Sequence, residues 1–352
     1  MSEDPKSPAS EWNWHPSLPI PTSPVFSWPP KPIAGLKWLA SYWLWISGTT
    51  MEILVAILIW NFFMPDMETM ATLSLGWVSQ IYVRNLILIC LVAGSLHLYF
   101  YTLKKQEAAL KFDPRSMAKN NGKFTFRNQV HDNMFWTLAS GVTIWTTYEV
   151  LWFWAAANGY TPLVTFSEAP VWFLAWFAII PIWASLHFYW IHRLIHWPPL
   201  YRLAHSLHHR NVNVGPWTGI SMHPVEHLLY FSSVVIHFVV LSHPLHFLFH
   251  LFVQALNPPL SHSGFDGLKI GGVKKVELGD FFHQMHHRYF ECNYGTVEMP
   301  WDKWFGSFHD GTKEAHEGLK EHRQKIMSQY KKYRLGNFIT RLFTSKEGLK
   351  IV

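Results

Sequence analysis

Cysteine is nearly absent: the 352-residue chain has two, Cys90 and Cys292, far apart in sequence. That argues against a disulfide framework, a thiolate zinc site or an iron–sulfur cluster, so any metal must be held by nitrogen and oxygen. Charge is scarce as well. Charged residues make up 15% of the chain, against about 25% in a soluble domain. The formal net charge of +6 is modest and no long basic block interleaved with aromatics occurs. This pattern fits charge at a membrane surface and not nucleic-acid binding. The N-terminus is polar and proline-rich, with no basic start leading into an apolar core, so no cleaved signal peptide is evident.

What the chain has in quantity is apolar surface: 49% hydrophobic residues, with 20 tryptophans and 26 phenylalanines. Four apolar runs, about 37–64, 77–101, 134–157 and 170–191, each approach or exceed the roughly 20 residues that cross a bilayer as a helix. Arg84, His97 and Glu149 interrupt them and are expected to face protein or water. The joint 102–133 carries seven of the basic residues, Lys104, Lys105, Lys111, Arg115, Lys119, Lys123 and Arg127. The other joints carry acidic residues only, so by the positive-inside rule 102–133 is cytoplasmic. A fifth run, 228–256, is broken by "SHP" at 242–244. Proline ends or kinks a helix. The expectation is a helical hairpin that enters the membrane and returns, with arms of about 13 residues, too short for a comfortable span.

Histidine is the second abundance. Of the 22 histidines, 16 lie between His187 and His287. "HRLIHWPPLYRLAHSLHH" holds His192, His196, His205, His208 and His209. "SMHPVEH" adds His223 and His227, "PPLSHSGFDG" adds His262, and "FFHQMHH" adds His283, His286 and His287. Offsets of three and four place side chains on one helical face, so imidazoles so spaced can converge on a metal. One catalytic zinc uses about three protein ligands. The set therefore exceeds what one ion can use, and two ions sharing it is the economical reading. All-histidine ligation beside a membrane suits redox iron more than structural zinc.

In that order and within about a hundred residues, "HRLIH", "HSLHH", "HPVEH", "HSGFD" and "HQMHH" resemble the fatty acid hydroxylase/sterol desaturase superfamily, as does the trailing "NYGTVEMPWDKWFGSF". The resemblance covers roughly residues 170–310. It implies a membrane-embedded enzyme with a histidine-bound dimetal centre, generally two Fe ions, with zinc possible by substitution. It also implies O2 as co-substrate and hydroxylation or desaturation of lipid C–H bonds. Carried over by position, His192, His196, His205, His208, His209, His283, His286 and His287 match the shared ligand motifs. His262 matches the histidine before the last of them and His223 the one in the "HPxE" element, while His227 joins on its spacing. At least one of Glu226, Asp266 and Asp280 is expected to accept a hydrogen bond from a ligand ring. No dinucleotide fingerprint, CxxC ferredoxin spacing or haem motif is present. The two electrons therefore imply a separate donor, a ferredoxin or small cytochrome with its reductase.

The expected architecture is an all-α integral membrane protein of about four transmembrane helices plus a re-entrant hairpin, with a cytoplasmic helical cap carrying the histidine site. Its parts are a proline-rich disordered leader (1–32) whose Trp12, Trp14 and Trp28 touch the interface, and N-terminal membrane helices with the basic loop (33–165). A catalytic region (166–310) and a basic tail (311–352) follow. The location is a bacterial inner membrane or endoplasmic reticulum. Within the oxidase class, "HPVEH" followed by "HSGFD" leans to hydroxylation of a sterol-like or complex lipid. Two other classes compete. A metal transporter or storage protein would place ligands at mid-membrane or in a low-complexity loop. A zinc hydrolase would need an HExxH-like base, and "HPVEH" has its glutamate elsewhere. His237, His243, His246 and His250 are expected to face a cavity or a neighbouring helix, and His187 to back the site.

Overall fold

Asparagine, aspartate and, twice, histidine start the helices. The Asn128 side chain accepts from the N–H groups of Val130 and His131 at 3.0 and 3.2 Å, and Asp280 accepts from that of Phe282 at 2.9 Å. His223 and His243 do the same through Nδ1, to Val225 at 3.2 Å and Leu245 at 3.1 Å. Each of the two precedes a proline at the first helical position, where a missing N–H costs nothing. These two "HP" dipeptides, at 223–224 and 243–244, are thus helix starts.

The computed structural model describes residues 11–42, 48–325 and 328. The first ten residues of the leader, residues 43–47 of the first apolar run and the tail with "KEGLKIV" lie outside the described residues. The main elements are α1 (Pro32–Tyr42), α2 (Gly48–Phe62), α3 (Leu75–Thr102), α4 (129–157), α5 (Pro170–Ile195), α6 (Pro224–Phe231), α7 (Pro244–Ser261) and α8 (Phe281–Tyr289). Between α7 and α8 stands a two-stranded antiparallel hairpin, β1 (Gly267–Ile270) and β2 (Val273–Glu277). An all-α reading misses it. Its signal was Gly271-Gly272, both at positive φ, the dipeptide that tight hairpin turns favour.

Among the described residues two helices, α3 and α5, are long and apolar enough to cross a membrane, with only 28% and 22% of their most apolar windows buried. Helices of that kind in a water-soluble core would be covered; these leave leucine, isoleucine and valine on the outside, as lipid contact requires. The interior of the bundle is aromatic. α7 packs on α2, α4 and α5, with the Trp152 and Phe247 rings stacked at 4.2 Å. Arg84 of α3 and Glu149 of α4, which interrupt two apolar runs, are both buried and paired with each other.

The "SHP" break is a bend, as its proline demands. It reaches the connection between α4 and α5: Ser242 N–H donates to Pro162 O and Val164 N–H to Ser242 O, both at 3.2 Å, and the Trp172 and Trp176 indoles donate to Leu241 O. The returning arm is longer than expected. α7 has 18 residues, roughly 27 Å at 1.5 Å per residue, and it delivers His262 to the end of the bundle where α5 delivers His192. At that end a smaller apolar cluster forms from Trp12, Ile20, Phe112, Phe281, Phe282 and Tyr289. Trp12 is therefore not at a lipid interface. Its ring lies 4.9 Å from Phe281 and under the Arg288 guanidinium at 4.4 Å, while Trp28 is 90% exposed.

Candidate metal centre

Nine of the eleven candidate histidines converge, in two groups: His192, His196, His205, His209 and His286, and His208, His262, His283 and His287. Within each group the ligand nitrogens all lie within 4.8 Å of one another. The sorting follows helical spacing in a way that box-by-box reading does not anticipate. Pairs four apart stay together, His192 with His196, His205 with His209, and His283 with His287. The middle histidine of each HxxHH, His208 and His286, crosses to the other group. Each HxxHH box thus contributes to both groups, which ties the two together.

The rings are oriented from behind. His192 Nδ1 donates to Tyr294 O at 2.6 Å, His286 Nδ1 to Cys292 O at 2.6 Å, His262 Nδ1 to Pro258 O at 2.9 Å and His208 Nδ1 to Ser221 O at 3.3 Å. A carbonyl oxygen only accepts, so each Nδ1 carries the proton and each Nε2 presents a lone pair. His205 donates Nδ1–H to Glu226 Oε1 at 2.7 Å, so Glu226 is the carboxylate that orients a ligand ring. Asp280 instead caps α8, and Asp266 pairs with Lys274 at 2.7 Å.

These tautomers test whether the site fits a metal. His192 and His205 face each other Nε2 to Nε2 at 3.1 Å, and with Glu226 ionised both spend their only proton on Nδ1. The contact cannot be a hydrogen bond, and two lone pairs so close repel unless a cation lies between them. Further Nε2 pairs stand at 3.0 Å for His209 with His286 and 3.2 Å for His262 with His287. Two nitrogens bound at right angles, each about 2.1 Å from one ion, are about 3.0 Å apart. Protonation does not compete. Burial, and then mutual repulsion of the imidazoles, holds His205, His209, His283, His286 and His287 well below the ordinary histidine range; His262 is pushed to about 3 by burial first. The donor set fits two imidazole-bound transition-metal ions.

His223 and His227 join neither group. His223 Nδ1 is the cap of α6. His227 uses both ring nitrogens, Nδ1 with Ser140 Oγ at 2.9 Å and Nε2 donating to Ile220 O at 3.0 Å. His187 pairs with Ser232 at 3.0 Å, and His237 and His250 bond to each other at 3.0 Å. Sequence reading also missed what supports the rings. Asp302 accepts from Tyr294 N–H, Gly295 N–H and Ser307 Oγ–H at 2.8, 2.7 and 2.6 Å, fixing the loop whose carbonyl orients His192. That is the physical content of "NYG…WDKWFGS".

The metal groups open on a cavity of about 510 Å³ lined by His192, His205, His208, His262 and His283. That volume falls in the roughly 300–1,000 Å³ range of small-ligand sites. Phe188, Ile191, Ile195, Met222 and Val253 supply apolar wall, and no tryptophan among the described residues takes part. One wall is set by backbone contact. A Cβ on Gly219 would meet Pro258 C and O at 2.4 and 2.5 Å, and Pro258 O is the acceptor for His262. Gly219→Ala is therefore expected to displace His262 and to lower bound metal from about two ions per chain toward one, read by inductively coupled plasma mass spectrometry.

The comparisons agree with this constellation. Residues 176–307 match the family model described as Fatty acid hydroxylase, so this histidine-bearing part of the chain is similar to the fatty acid hydroxylase/sterol desaturase superfamily. The chain is 35% identical over 140 residues to the Delta(7)-sterol 5(6)-desaturase of Gibberella zeae, covering 38% of this chain and 42% of that protein. With the Saccharomyces cerevisiae Delta(7)-sterol 5(6)-desaturase it shares 33% over 120 residues, 34% of this chain and 32% of the other. A longer match at 27% over 257 residues covers 71% of this chain and 72% of an Aspergillus fumigatus Delta(7)-sterol 5(6)-desaturase. The first two matches span less than half of those relatives' lengths. No solved structure matches.

Proposed function

We propose that this chain is a membrane-bound oxidase that oxidises an unactivated C–H bond of a sterol-like lipid, using two iron ions held by the nine converging histidines, O2 and two electrons from a separate donor. The observation that carries the reading is the pair of buried groups of inward-facing, neutral imidazoles opening on one largely apolar cavity. Iron held there supplies the two-electron activation of oxygen that such a bond requires. The protein's own part is positional. Glu226 and the carbonyls of Tyr294, Cys292, Ser221 and Pro258 keep the Nε2 atoms of His205, His192, His286, His208 and His262 aimed inward, and the apolar wall seats hydrocarbon and excludes water.

The motif order leans to hydroxylation, but the relatives, Delta(7)-sterol 5(6)-desaturases, favour loss of a second hydrogen. Desaturation balances as CH–CH plus O2, two electrons and two protons, giving C=C and two waters. Hydroxylation consumes the same reagents and gives an alcohol and one water. The basic loop 102–133 supports a cytoplasmic site: Gln129 donates to Asn213 O at 2.6 Å and Arg210 to Lys123 O at 3.0 Å, so the loop packs on the histidine end. A ferredoxin or small cytochrome with its reductase would deliver electrons to that face, and residues 166–310 form the catalytic unit. Expression in sterol-containing cells under oxygen-18, followed by lipid mass spectrometry, tests the reading. A new sterol double bond without label is expected. A labelled hydroxyl would make the chain a hydroxylase, and no oxygen-dependent lipid product would refute the oxidase reading.

A further inference from the structure

Glu52, one turn into α2, is fully buried, and neither of its carboxyl oxygens has a hydrogen-bond partner among the described residues. A carboxyl left unpaired in an apolar bundle is costly, and an ionisable group in a membrane-embedded helix is a functional candidate by default. Its neighbours indicate the task. Gly48, one turn earlier, lines the cavity that reaches His208, His262 and His283, as do Asn257 and Tyr230. A methyl group placed on Gly48 would lie 3.5 Å from Leu260 Cδ1, 3.9 Å from Asn257 Oδ1 and 4.0 Å from Glu52 Oε1. Glycine therefore leaves open a niche at the cavity wall, bordered by the side-chain oxygens of Asn257 and Glu52 and by Leu260. We propose that this niche receives a hydroxyl group of the lipid substrate, with Glu52 as the specificity-determining residue and Asn257 beside it. The assignment rests on reading the cavity as the substrate slot of the histidine centre. A protonated carboxyl offers one O–H donor and one carbonyl acceptor, and an alcohol uses one of each. A saturated hydrocarbon chain offers neither and would leave the carboxyl as it stands.

The test compares lipid alcohols with their O-methyl ethers, which keep the acceptor and lose the donor. Binding of a radiolabelled Δ7-sterol, a long-chain 1-alkanol and the two ethers is measured on detergent-purified full-length protein, wild type, Glu52→Gln and Glu52→Leu. Wild type is expected to bind at least one alcohol at least about tenfold tighter than its ether, because a site built to hydrogen-bond a hydroxyl rejects the analogue lacking it. Glu52→Leu should bind both alike, Glu52→Gln should keep most of the preference, and iron content should not change. The unfolding temperature of Glu52→Leu should equal or exceed that of wild type, since an unpaired group is removed; a supporting structural role would lower it. Equal affinity of wild type for alcohol and ether, a preference that survives Glu52→Leu, or binding of no member of the panel overturns the assignment. Sterol turnover is scored separately: binding preference without turnover corrects the proposed reaction and leaves Glu52 its role, whereas turnover without preference does the reverse.

Discussion

Replacing His286 with alanine is expected to cost the centre at least half of its metal, whereas replacing His227 is expected to leave it loaded. His286 Nε2 lies 3.0 Å from that of His209 and 3.2 Å from that of His196, with its Nδ1–H fixed on Cys292 O. It also comes from the α8 box that otherwise serves the second group, so its loss cuts one of the two links between the groups. Removing an outer partner of a ligand costs roughly 10–100-fold in metal affinity, and removing a ligand costs more. Iron should fall from about two per chain to one or fewer in His286→Ala, with lipid oxidation lost. His227→Ala breaks two hydrogen bonds in a buried site and should lower stability by about 1–3 kcal/mol, yet keep the metal. Plasma mass spectrometry after anaerobic iron loading reads both, and the loading step matters because zinc can take iron's place. Full iron in His286→Ala, or loss in His227→Ala with the fold intact, would show that the grouping is wrong.

That contrast marks where the sequence stops being informative. Helical spacing correctly selects histidines that can converge, because period and face are local properties. It cannot distinguish His223 and His227 from true candidates: "HPVEH" has the same four-residue offset as "HRLIH". What separates them is which hydrogen-bond partner stands behind each ring: Ser140 reaches His227 through the packing of α4 against α6, and Ile220 from the turn that precedes α6. The crossing of His208 and His286 between groups is hidden for the same reason. The bend at "SHP" was legible because proline acts locally; the length of the returning arm was not, because residues 257–261 include two prolines that the tertiary fold keeps helical. Glu226 could be named as an orienting carboxylate from its place beside ligands. The backbone carbonyls of Tyr294 and Cys292 could not, since every residue has one.

Arg84 and Glu149 interrupt two apolar runs, and severing their pair should cost more stability than any other single change in the bundle. The guanidinium meets Glu149 Oε1, donates to Asn85 Oδ1 at 2.9 Å and touches Met64 Sδ at 2.8 Å, while Asn85 Nδ2 donates to Glu149 Oε2 at 3.0 Å. Glu149 is fully buried and Arg84 is 7% exposed, so neither charge has water to fall back on. The pair's net worth is small, because desolvation offsets most of the attraction. Breaking it is expensive, about 3–5 kcal/mol, because one charge is then buried alone. Arg84→Met and Glu149→Met should each lower the unfolding temperature in detergent sharply, whereas the double variant should unfold closer to wild type than either single. The coupling energy of the double-mutant cycle should exceed about 2 kcal/mol. Additive losses would mean that the two residues are stabilised independently, Arg84 by Asn85 and Met64 alone. Coupling, by contrast, makes the pair the register pin between α3 and α4: sliding either helix by one residue along its axis moves the charge about 1.5 Å and turns it by about 100°, off its partner and into hydrocarbon.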